Sequence, residues 1–106
     1  MPQYAVVGFH PALGCPMNSK AAREAAKRAY AGLDELLKRK NAKLVLDLHL
    51  DPNHKAFMLF EAPTAESVRD ILVESGFLSF LDVEFHLVTP IPELLKQSEK
   101  IPTIYP

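Results

Sequence analysis

The sequence predicts an α+β fold built on a four-stranded antiparallel sheet, and three observations carry that reading. Four short segments, 3–10, 43–50, 55–61 and 82–89, are rich in β-branched and aromatic residues or alternate apolar with polar ones. Two longer segments, about 20–40 and 65–75, repeat apolar residues at the three-four spacing of a one-sided helix. The six follow one another as strand, helix, strand, strand, helix, strand. The chain has 106 residues, 48% of them hydrophobic and 24% charged, which fits one domain spanning 1–106.

The first strand, QYAVVGFH, is stopped by Pro11. Residues 11–18 hold two prolines and a glycine and are expected to be irregular. Asn18 or Ser19 can cap the helix that follows. Its inward positions include Ala22, Ala29, Tyr30, Leu33 and Leu36. Lys38, Arg39 and Lys40 fall in its last turn, where the helix dipole favours cations, and Asn41 suits its end. In the second strand Leu44, Leu46, Leu48 and Leu50 share one face, with Val45, Asp47 and His49 on the other. Asp51-Pro52-Asn53-His54 has the make-up of a tight turn, so KAFMLFE returns beside it as a hairpin. Pro63 and Thr64 open the second helix, and Gly76 ends it. Residues 77–81 add a short turn, DVEFHLVT is the last strand, and 93–99 forms a short helix in a proline-bearing arm, 90–106.

This order is the split-βαβ, ferredoxin-like arrangement, over 3–89. Right-handed crossovers give the sheet order 4-1-3-2 with both helices on one face. The leucine face of strand 2 is assigned to the helices. Tyr4, Val6, Val45, Met58, Phe60 and Val88 are then expected on the open face, beside Asp47, His49, Glu84 and His86. An apolar surface of that kind implies a partner. A βαββαβ unit of this size with such a face and a C-terminal arm resembles the dimeric α/β-barrel superfamily, by layout and without a specific motif. The resemblance implies a homodimer whose two sheets pack face to face around a pocket.

The four histidines are the most informative residues. His10 ends strand 1, His49 is near the end of strand 2, His54 opens strand 3, and His86 is placed in the first half of strand 4. All are therefore expected at one end of the open face. His10 is the centre of the expected cluster, with two of the other three around it, since strands lie about 4.8 Å apart. Cys15 follows in the loop at the same end, before a helix N-terminus, where the helix dipole favours an anion such as a thiolate. Such a set suits zinc, copper, nickel or iron better than magnesium or calcium. Asp47 and Glu84 are the candidate catalytic carboxylates, as ligand, orienting partner or general base.

The leading expectation is a small homodimeric transition-metal-binding protein or metalloenzyme with His10, His49 and His86 as ligands and Cys15 or His54 nearby. A second is a metal-free isomerase- or monooxygenase-like enzyme using His49 as a base on a small organic acid. A third is a non-catalytic ligand-binding or assembly module. A net charge of -1 gives no basic field for nucleic acid or an anionic membrane. One cysteine excludes an internal disulfide. The absence of a basic leader and of a long apolar run gives a cytoplasmic expectation.

Overall fold

The computed structural model describes residues 1–106. Strands β1 (Gln3–Phe9), β2 (Lys43–Leu50), β3 (Lys55–Glu61) and β4 (Asp82–Val88) form one antiparallel sheet. Their order is β2-β3-β1-β4, the expected order read from the other edge. Helices α1 (Lys20–Ala31), α2 (Leu33–Arg39) and α3 (Ala65–Ser75) supply core residues to one face of the sheet. The layout is compatible with the ferredoxin-like arrangement. Helix α4 (Ile91–Ser98) follows β4, and every one of its residues is exposed.

Local chemistry sets the boundaries. The Ser19 side chain accepts a hydrogen bond from the Ala22 N–H at 3.2 Å and starts α1. The single helix expected over 20–40 is broken at Gly32, the residue with the greatest freedom to leave helical geometry. Asn41, in the left-handed region at φ 52, ends α2, and the Ala42 N–H reaches back to the Leu37 carbonyl at 2.9 Å. Thr64 caps α3, and Gly76 ends it at φ 92. No helix is long and apolar enough to cross a membrane.

The core lies between the sheet and the three helices. Val6, Met58 and Phe60 from the strands meet Val68, Ile71 and Phe77, all with 1% exposure or less. This reverses the expected faces of β1 and β3: Tyr4, Val6, Met58 and Phe60 are under the helices, not on the open side. Both alternations of β1 are apolar, so its composition could not say which one the helices cover. Gly8 belongs to the covered face as well, where a Cβ would stand 3.1 Å from Leu81 Cδ1. Its missing side chain admits Leu81 rather than a ligand.

In β2 the reversal has a separate cause. Leu44 pairs with Phe60 but Leu46 pairs with Leu59, so Val45 is an extra residue in the ladder. Leu44 stays with the core, while Leu46, Leu48 and Leu50 pass to the open face at 43%, 51% and 39% exposure. Asp47 and His49, paired with Met58 and Ala56, turn to the helix side. In β4 the expectation holds: Val83, Phe85 and Leu87 share the helix side, and Glu84 and His86 face away.

Two substitutions check this packing by denaturant unfolding. Phe60→Ala removes a fully buried ring and should cost about 3–5 kcal/mol. Gly76→Ala meets open space but forces a side chain into the left-handed region, and should cost about 1 kcal/mol.

Candidate metal centre

His10, Cys15 and His54 meet at the end of the sheet where β1 finishes and β3 begins. Each offers one ligand atom, and the three atoms lie within 4.8 Å of one another. His10 directly follows β1, and its backbone N–H donates to the His54 carbonyl at 3.1 Å, which sets the two residues side by side. His54 holds a positive φ of 57, a conformation that is uncommon outside glycine and is concentrated at functional sites. Cys15 sits in the loop before α1 at 2% exposure, and its carbonyl accepts from the N–H groups of Asn18 and Ser19.

The His10 imidazole is the unusual member. It is 8% exposed, and neither Nδ1 nor Nε2 has a hydrogen-bond partner. An unsatisfied buried polar atom costs about 1–3 kcal/mol. Burial holds the His10 pKa below the ordinary histidine value, and the neighbouring His54 and His49 lower it further. The ring is therefore neutral at pH 7 and presents a lone pair. On a tetrahedral ion with bonds of about 2.0–2.3 Å, neighbouring ligand atoms lie roughly 3.3–3.8 Å apart, so the cluster needs only small side-chain movements to close. His10, Cys15 and His54 form a group that could hold a metal ion.

His49 stands beside this group. Its ring stacks on His10 with centroids 6.1 Å apart, and His54 meets His10 edge-on at 5.5 Å. The strands of His10 and His49 are separated by β3, whose residue opposite His49 is the small Ala56. His49 Nδ1 lies 2.6 Å from Asp51 Oδ1, so a carboxylate orients the ring and the Nε2 edge is left to other partners.

His86 and Glu84 lie apart from this site. His86 pairs with Ala5, five residues before His10 and roughly 17 Å along the strand, and it points to the opposite face. Its Nε2 is 3.4 Å from Glu84 Oε2, with both side chains exposed. His86 is the fifth residue of β4, past the middle of the strand, which is why it does not reach the end where His10 sits. The site thus occupies one end of the sheet, as expected, but on the helix-covered face.

Asp47 is drawn in by a residue that the sequence placed only in the apolar stripe of the first helix. The Tyr30 hydroxyl donates to Asp47 Oδ2 at 2.6 Å. Burial raises the Tyr30 pKa well above the ordinary phenol range, and the hydrogen bond and charge of Asp47 raise it further. No spacing signal in the sequence marks Tyr30 as other than core. Between these groups is a cleft of about 150 Å³, walled by His10, His49, Tyr30 and Asp47 and floored by Met58 and Phe77. A larger groove of about 430 Å³ runs from the start of α1 to residues 78–82, with Ser19, Ser79 and Asp82 as its polar lining.

No known protein-family model matches the chain, and no curated protein is significantly similar to it.

A phenol whose pKa is higher folded than unfolded has a definite linkage sign. The unfolded chain loses the proton first, near pH 10, so stability is full below that pH and declines as pH rises above it. The melting temperature of the wild type should therefore fall more steeply above pH 10 than that of Tyr30→Phe.

Proposed function

We propose that the protein binds one transition-metal ion per chain through His10, His54 and Cys15, leaving a fourth position for water or substrate beside His49. The observation that carries this reading is the pair of unpartnered, buried ring nitrogens of His10 beside a second imidazole and a thiol. Two nitrogens and one sulfur suit zinc or copper, and nickel or iron less well. Three protein ligands and one open position are the arrangement of catalytic rather than structural zinc sites. Bound there, such an ion would supply Lewis acidity or an acidified water. The chain's own contribution is to hold His10 neutral, to fix His49 through Asp51, and to shield the site beneath α1.

We further read the active form as a homodimer of the kind that the dimeric α/β-barrel resemblance implies. Leu46, Leu48 and Leu50 on the open face support it, as do Ile91, Leu94 and Leu95 on α4, all exposed. The radius of gyration of 16.3 Å exceeds the roughly 13 Å of a compact chain of this length, in keeping with an arm that extends from the domain. The Asp51–His49 pair favours a second reading, a metal-free acid–base enzyme with His49 as the base.

Untagged protein is exposed in turn to zinc, copper, nickel and ferrous iron, dialysed, and measured by elemental analysis with light scattering on the same sample. About one zinc or copper ion per chain is expected in a particle of twice the chain mass. His10→Ala, His54→Ala and Cys15→Ser should each lose the ion, and His86→Ala should keep it. A cobalt derivative should show a thiolate charge-transfer band that Cys15→Ser abolishes. Failure to retain any ion, or equal loss in His86→Ala, would overturn the metal reading and favour His49 acid–base chemistry.

A further inference from the structure

We propose that the cleft between α1 and the β2 edge binds a small organic amine, held by the Asp47–Tyr30 pair against an aromatic and aliphatic floor. The inference goes beyond the metal reading and does not require it, because none of the groups that recognise the amine belongs to the metal cluster.

Size gives the first constraint. The cleft measures about 150 Å³. An apolar cavity of about that volume holds a benzene-sized guest. Its floor is dry: Met58 and Phe77 are 1% exposed and Leu81 7%. Tyr30 packs edge-on against Phe77, with ring centroids 5.1 Å apart.

Charge gives the second. No lysine or arginine lines the cleft, and its one carboxylate is Asp47. Tyr30 occupies Asp47 Oδ2 and fixes the carboxylate's orientation, while Oδ1 has no partner. In the metal-free chain an anionic ligand would meet a negative charge with no compensating cation, so small organic acids are the wrong class for this cleft. An ammonium group meets a fixed acceptor with opposite charge. His10 lines the cleft with an unpartnered imidazole, which places the body of the amine beside the proposed metal position. The acceptor is at the mouth and the apolar surface is inside, so the ligand is a cation with a hydrophobic body of about six to eight heavy atoms.

The test uses benzylamine, benzyl alcohol and benzoate, titrated into isotopically labelled full-length protein at pH 7 and followed by amide chemical shifts. Benzylamine should saturate and move the signals of Ala26, Ala56 and Phe77. Benzyl alcohol should bind at least tenfold more weakly, and benzoate should not bind. Asp47→Asn should weaken benzylamine at least tenfold, and Tyr30→Phe by a smaller factor. Ala26→Leu fills the cleft from α1 without touching Asp47 and should abolish binding while the spectrum stays dispersed. Benzoate or the alcohol binding as tightly as the amine, unchanged affinity in Asp47→Asn, or retained binding in Ala26→Leu would each overturn the proposal. The three-ligand series is run on chelator-treated protein, and benzylamine alone is repeated on zinc-loaded protein. Amine binding without metal retention would defeat the metal reading alone, and metal retention without amine binding would defeat this one alone.

Discussion

Val45 is an extra residue in β2, and its insertion decides which side of the sheet Asp47 and His49 meet. Without it, strict alternation from Leu44 would send Leu46, Leu48 and Leu50 into the core and both polar residues outward. With it, one leucine remains inside and three cover the open face, and Asp47 and His49 come under α1. A bulge changes side-chain direction by one step for every residue beyond it, so one insertion relocates a whole half-strand. The Tyr30–Asp47 hydrogen bond and the stacking of His49 on His10 both follow from that step. Without it, His10 would have only His54 and Cys15 as polar neighbours.

The site is therefore a joint product of sheet geometry and loop chemistry. Strand register brings His10 and His54 side by side through one backbone hydrogen bond. The irregular segment 11–18 then folds back over them. Its prolines and glycine prevent a strand or helix from carrying Cys15 away, and the Arg23 side chain ties the segment to α1 by donating to the carbonyls of Pro16 and Met17. Three potential ligands from two stretches of chain, 10–15 and the turn before β3, thus converge with little freedom. Preorganisation of this sort lowers the entropic cost of binding an ion.

Element boundaries were legible in the sequence because each has a local chemical cause. Ser19, Asn41, Thr64 and Gly76 mark helix ends through capping or backbone conformation, and β2, β3 and α3 fall on the residues expected. The end of the sheet that holds His10, His49 and His54 was legible too, because strand direction follows from topology alone. The face was not. In QYAVVGF both alternations carry apolar residues, and in KAFMLFE the one directional signal, Lys55 and Glu61 on the alternation opposite Met58 and Phe60, was outweighed by the leucine stripe of β2. The bulge at Val45 leaves no composition signal, since valine is an ordinary strand residue. Tyr30 was hidden for a similar reason: a tyrosine in an apolar stripe looks the same whether its hydroxyl meets water or a carboxylate.

The two faces of the sheet end up with different chemistry. Under the helices, polar groups are few and each has a neighbour of defined geometry, at the one end where the helices leave space. On the other face, Val7, Phe57 and the three leucines form an apolar middle, bordered by Gln3 and Glu61 at one end, Lys55 and Asp82 at the other, and Glu84 and His86 along β4. A chain of this size has too little interior to bury apolar residues on both sides of a sheet by itself. The three leucines of β2 thus form a second apolar layer outside the helix-covered core, while Asp47 and His49 turn to the helix side. Glu84 and His86, read from the sequence as part of the site, stand on the open face. Nothing they touch reaches the His10 centre.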